Sequence, residues 1–187
     1  MPDHESPATG TSAPSGWVLR FAHLIPAGGR VLDLACGKGR HTRLLADRGH
    51  PITAVDIDVS GLIDLREDPR IEIRQANIET SDWMFSGTQF AAIIVSNYLY
   101  RPHFIWLADS LQPGGVLLME TFAQGNEAYG RPQNPDFLLV AGELLSAFGN
   151  HLQIVAYEHG LELQPKVAVR QRICAVNTAT CALLNAT

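Results

Sequence analysis

With 187 residues, the chain is long enough for one domain with a substantial core, and 46% hydrophobic against 18% charged content is that of a folded protein. A formal charge of −5 argues against a standing attraction to nucleic acid phosphates. No run approaches the roughly 18 apolar residues of a membrane span, and the amino terminus lacks the basic start and apolar centre of a signal peptide.

Residues 1–14 are rich in Pro, Ser, Thr and Gly without a hydrophobic period, and are expected to be disordered. The folded domain is expected over 15–178, followed by a short tail at 179–187. Ser15 is the natural N-cap of a helix with Trp17, Val18, Phe21, Leu24 and Ile25 on its apolar side. Pro26 to Gly29 then turns the chain into a first strand, Val31–Leu34, which Asp33 interrupts near its carboxyl end. Ala35, Gly37 and Gly39 let the backbone turn tightly before a helix opens at Arg40. Strand, glycine turn and helix start together mark a nucleotide-cofactor site at the head of a doubly wound sheet.

The dinucleotide fingerprint requires a third glycine, and here Gly37-x-Gly39 runs on into Arg40, His41 and Thr42. A carboxylate at Asp33, just ahead of the turn, repels a pyrophosphate and suits an ammonium or sulfonium ligand. S-adenosylmethionine (SAM) has both charges, and its carboxylate suits backbone N–H groups at a helix start. The stretch resembles motif I of the class I SAM-dependent methyltransferases, acid-x-Gly-x-Gly-x-Gly, with Ala35 in place of the first glycine. A methyl-bearing side chain there is read as disfavouring a positive backbone angle. Cys36, inside the turn, is read as a small buried filler.

Ile52–Ile57 is the second strand, and its Asp56 lies 19 residues beyond Gly37, the spacing at which a carboxylate meets a ribose. Ile57 follows it as a further cofactor contact. A short helix over 59–65 leads to a third strand, Ile71–Gln75. Asn77 then stands where the family resemblance implies a side chain for the adenine amino group, received through its carbonyl, with Ile78 against the base. Phe90–Val95 is almost wholly apolar, hence a central strand, and it delivers Ser96, Asn97 and Tyr98 to the carboxyl edge of the sheet. The resemblance also implies that Trp17 borders the cofactor. Enzymes that methylate bases have Pro-Pro-aromatic after such a strand, and Asn97-Tyr98-Leu99-Tyr100 lacks it.

A helix from Pro102 to Ser110 and a Leu-x-Pro-Gly-Gly step lead to a fifth strand, Val116–Thr121. Residues 123–140 contain two prolines, Pro132 and Pro135, and no period, and a loop this long inside a compact domain is usually functional. Its wording is similar to small bacterial methyltransferases of the tellurite-resistance type. A helix at 142–148, a sixth strand at 152–157, a connection at 158–166 and a seventh strand at 167–176 complete the chain. The resemblance implies an α/β, three-layer, Rossmann-like mixed sheet of seven strands, the last inserted between the fifth and sixth as an antiparallel hairpin.

Tyr98, Arg101, His103, Tyr129 and Arg131 are the catalytic candidates at the mouth, and the two arginines suggest an anionic acceptor. The expected function is methyl transfer from SAM to a small molecule, with S-adenosylhomocysteine (SAH) as product, in a cytoplasmic protein without nucleic acid or membrane partners. A SAM-binding regulatory module and a non-methylating relative such as an aminopropyl transferase remain open. Cysteines at 36, 174 and 181 and seven scattered histidines have no metal-ligand spacing, so no metal is expected.

Overall fold

A computed structural model describes residues 12–79 and 82–178. Residues 1–11 and 179–187, where tails are expected, and Cys181 lie outside them. Seven strands form one sheet: β1 (Val31–Leu34), β2 (Ile52–Asp56), β3 (Ile71–Gln75), β4 (Phe90–Ser96), β5 (Leu111–Phe122), β6 (Gln153–Glu162) and β7 (Ala168–Val176). Their spatial order is β3-β2-β1-β4-β5-β7-β6. The first five run parallel, and β7 lies antiparallel between β5 and β6. This is the expected three-layer arrangement.

The sheet separates two apolar layers. Ala92 and Ile94 of β4 face one, with Trp17, Phe21 and Leu45, while Phe90, Ile93 and Val95 face the other, with Phe85, Leu107 and Phe148. A fully buried aliphatic side chain contributes about 1.5–3 kcal/mol, so this two-sided strand anchors the domain. Helices α1 (Gly16–Phe21) and α2 (Arg40–Asp47) serve the first layer; α3 (His103–Asp109) and α4 (Glu143–Phe148) serve the second.

Two strand boundaries differ from the sequence reading, and one short helix is of the tighter kind. Residues Ser60–Leu65 form the expected short helix as a 3-10 helix, with Gly61 pressed so closely on Lys38 that a Cβ there would meet its side chain at 3.0 Å. Strand β5 begins at Leu111, five residues early, through an irregular register opposite Phe90 and Ala92. Strand β6 continues to Glu162, five residues past Tyr157, because Glu158 to Glu162 pair with Arg172 to Ala168. That extension is held by charge as well as by backbone: Arg172 bonds both Glu158 and Glu162. Such a ladder has no apolar alternation to betray it.

Candidate functional site

The turn after β1 is shaped by backbone conformations that few side chains tolerate. Ala35 has φ 54°, Gly37 φ 55° and Gly39 φ 73°. The expectation that alanine makes a positive angle at position 35 unfavourable enough to be avoided is therefore corrected: the turn imposes it, and the residue's small size limits the penalty to about 1–2 kcal/mol. Gly39 starts α2, and a Cβ on it would meet Leu62 at 2.3 Å, so only glycine lets the helix seat against the 3-10 segment. Gly37 donates its N–H to the Asp56 carboxylate at 2.7 Å, and Asp58 N–H donates to the other oxygen at 3.1 Å. The two strand ends, β1 and β2, are thus stitched at the glycine turn.

A cleft runs along the carboxyl edge of the sheet in two halves, each about 400 Å³, which share Ala35 and Asn97. One half is lined by Cys36, Gly37, Lys38, Arg40, His41 and Ser96, with Ser12 at its rim. The other is lined by Asp56, Ile57, Asn77, Ile78, Glu79 and Tyr98. The first half is cationic, the second carries two carboxylates. Asn97 sits at their junction with φ 58°, directly after the end of β4 as Ala35 directly follows the end of β1.

Arg40, Ser96 and His41 are each fixed by an identifiable partner. The Arg40 guanidinium donates to the Ser96 hydroxyl at 2.8 Å and to the Ala13 carbonyl at 3.2 Å. Ser96 in turn donates to the buried Glu120 at 3.0 Å. Burial opposes the charge on Glu120, but hydrogen bonds from Ser15 and Ser96 and the nearby Arg172 and Arg170 outweigh it and hold its pKa below the usual value. His41 accepts the Ser15 N–H on Nε2 at 3.1 Å, and burial, with Arg40 beside it, lowers its pKa to about 4. The imidazole is neutral at physiological pH. The Cys36 thiol is pushed far upward by burial and by Asp33 and Asp56, and is no nucleophile.

Several expected contacts are relocated. Asp33 does not line the cleft; it is buried behind the turn, where the Thr42 hydroxyl donates to it at 2.6 Å. Burial raises its pKa to about 6 against the pull of Thr42 and Arg40. Trp17 is also buried away from the cleft, its indole N–H donating to the Ile173 carbonyl at 3.1 Å. Gly39 shapes the helix start and lines neither half. Asn77 Oδ1 accepts the Glu79 N–H at 3.0 Å, an Asx turn that occupies one lone pair of the oxygen expected to serve adenine. Glu79, passed over in the sequence, supplies a carboxylate in the same half. Lys38, Arg40, His41 and Ser12 were passed over too, although the first turn of a helix after a glycine bend is a place to look for anion-binding side chains.

Of the catalytic candidates, Tyr98 lines the cleft, its buried hydroxyl pushed upward by burial and by Glu79. Arg101 is already engaged: it donates to Glu143 at 2.6 Å and to the carbonyls of Asp136 at 2.6 Å and Leu138 at 2.9 Å. It therefore braces the 123–140 loop, and the expectation of a free anion receptor there is corrected. His103 is buried beneath the cleft. Tyr129 and Arg131 are exposed on the loop and line neither half. No cluster of metal-ligating side chains exists among the described residues, and no described helix is long and apolar enough to cross a membrane.

The two ends of the cleft differ in charge. Lys38 and Arg40 suit a carboxylate; Asp56 suits ribose hydroxyls, and Glu79 an exocyclic amine. A pyrophosphate fits poorly, because the Gly37 N–H is already given to Asp56 and the Asp33 carboxyl stands behind the same turn.

Comparison with known proteins gives an independent result. A family model described as "Methyltransferase domain" matches residues 10–163. No curated protein matches the chain in sequence. Among solved structures, TehB from Haemophilus influenzae is similar with a TM-score of 0.76 at 17% identity, covering 89% of this chain, which spans 63% of that protein's chain. The 1,6-didemethyltoxoflavin-N1-methyltransferase of Burkholderia thailandensis, with 1,6-didemethyltoxoflavin and SAH bound, gives 0.63 at 19% identity, covering 87% and 76% of the two chains. The [4+2]-cyclase SpnF gives 0.64 at 12% identity, covering 88% and 80%.

Proposed function

From the premise that the chain belongs to the methyltransferase-domain family and is built on that family's SAM-binding architecture, we propose that it methylates a small-molecule acceptor. Bound SAM supplies a methyl group on a sulfonium, a leaving group already activated for in-line displacement. The protein's contribution is then mainly to hold the partners in line and keep water away, which can supply on the order of 7–11 kcal/mol.

The observation that carries the small-molecule reading is a second hollow of about 320 Å³, lined by Glu158, His159, Gly160, Leu161, Glu162, Arg170 and Arg172. That volume suits a metabolite rather than a polymer. Arg170 links it to the cleft, donating to Asn97 Oδ1 at 2.6 Å while its guanidinium lies 4.3 Å from the centre of the Phe122 ring. The acceptor's approach to Asn97 is read along this side. Neither titratable ring in the cleft is suited to take a proton at neutral pH: His41 is occupied at Nε2, and Tyr98 holds its own proton tightly. An acceptor that is nucleophilic without a base, such as a thiolate, a chalcogen anion or a free amine, fits best.

The test is incubation of the purified chain with methyl-labelled SAM and a cell extract split at about 1 kDa. Label in the small fraction with matching release of SAH supports the reading; label confined to the large fraction overturns it. The fold alone does not compel methyl transfer, since a [4+2]-cyclase shares it. Tight SAH binding with no label in either fraction favours that second, non-methylating reading.

A further inference from the structure

Beneath the carboxylate-bearing half of the cleft, the first residue of α3 reaches a peptide group of its wall. His103 is 1% exposed, and its Nε2 lies 2.8 Å from the Ile78 carbonyl oxygen. With that oxygen as acceptor, Nε2 must carry the proton, which fixes the ring's orientation. The ring is boxed by Tyr100 at 4.7 Å, Trp83 at 5.1 Å, Trp106 at 5.6 Å and Tyr98 at 6.2 Å between ring centres. Burial lowers its pKa, so it stays neutral and keeps a single geometry.

The Ile78 carbonyl belongs to the same peptide group as the Glu79 N–H, and that N–H is taken by Asn77 Oδ1 at 3.0 Å. The Ile78–Glu79 peptide is therefore pinned from both sides, inside a segment without helix or strand. Ile78 and Glu79, whose directions this peptide sets, both line the half-cleft with Asp56 and Tyr98. We propose that His103 is a positioning residue for base recognition: by holding the Ile78 carbonyl it aims the Glu79 side of the wall at the exocyclic amino group of adenine. This rests on the SAM reading above and adds to it a source for base selectivity that touches no ligand.

Two substitutions separate this role from simple packing. Glutamine at 103 can place an amide N–H close to where Nε2 stands, whereas asparagine is too short and reproduces only the Nδ1 position. Both put a polar amide in the same box, so both are expected to lower the melting temperature of the free protein by similar amounts. The readout is calorimetric affinity for SAH against S-inosylhomocysteine, in which the amino group is replaced by oxygen. The wild-type chain is expected to prefer SAH. His103→Gln should keep its affinity within about threefold and keep the preference, while His103→Asn should lose about tenfold in SAH affinity and most of the preference. If both variants bind SAH alike and keep the wild-type preference, the proposal is overturned while the cofactor reading stands. If the wild-type chain binds neither compound, the cofactor reading itself falls.

Discussion

Thr42 donates its hydroxyl to the buried carboxyl of Asp33 at 2.6 Å, across the glycine turn that separates β1 from α2. The bond joins the strand to the helix whose start shapes the cleft. It does not fully offset the burial of the charge, and the Asp33 pKa stands at about 6 against an ordinary 3.8. The folded chain thus binds this proton more tightly than the unfolded chain does. Its stabilising contribution is complete below pH 3.8 and is lost as the pH rises through about 6. Asp33→Asn removes the ionisation, so its stability relative to wild type should climb between pH 4 and pH 7, by on the order of 3 kcal/mol. Urea unfolding of both proteins across that range measures the difference directly; a difference independent of pH would contradict the raised pKa.

Ala35 makes a second prediction of sign. Glycine for alanine in an ordinary strand or helix costs roughly 0.5–1 kcal/mol, because the unfolded chain gains freedom. At φ 54° the Cβ is strained by about 1–2 kcal/mol, and glycine relieves it. Ala35→Gly should therefore leave the melting temperature unchanged or raise it by a few degrees, with SAH affinity retained. A fall of several degrees would mean that the residue does not hold a left-handed angle in solution.

Ala35 also shows where sequence reasoning reached and where it stopped. The strand–turn–helix unit and the Asp56 spacing were legible because Gly37, Gly39 and a strand-end acid answer to backbone geometry that few residues satisfy. The sheet order needed the family resemblance, since apolar runs such as Phe90–Val95 say that a strand is buried, not which strand is beside it. What stayed hidden was tertiary. Nothing local marks Arg101 as bound to Glu143, 42 residues away, or Asp33 as turned toward Thr42 rather than toward the ligand. Glu79 and Arg40 were missed for a related reason: their roles come from facing one cleft, which no spacing rule encodes.

The Arg101 clamp predicts a loss that lysine cannot repair. Its guanidinium spans Glu143, the Asp136 carbonyl and the Leu138 carbonyl, a forked geometry that an ammonium does not reproduce. Arg101→Leu should cost about 1–3 kcal/mol, and Arg101→Lys should recover little of it. Limited proteolysis should then cut within 123–140 faster in both variants than in wild type. Equal cutting rates in all three proteins would show that the loop is ordered by its Phe122–Leu139 and Ala123–Leu139 backbone contacts without the arginine.

Under the proposed SAM reading, Asp56 has a structural duty and a ribose-binding one, which substitutions can divide. Its oxygens accept the N–H groups of Gly37 and Asp58, and each oxygen keeps a further lone pair for a ribose hydroxyl. Asparagine can serve one of the two N–H groups but lacks the charge and the second acceptor. Asp56→Asn should therefore lose some melting temperature and about 10- to 100-fold in SAH affinity, and Asp56→Ala more of both. The duties separate through an SAH analogue lacking both ribose hydroxyls. Wild type should bind that analogue far more weakly than SAH, whereas Asp56→Asn and Asp56→Ala should bind the two compounds with similar affinity. A variant that keeps the wild-type preference would reduce Asp56 to a brace for the glycine turn, with the ribose gripped elsewhere.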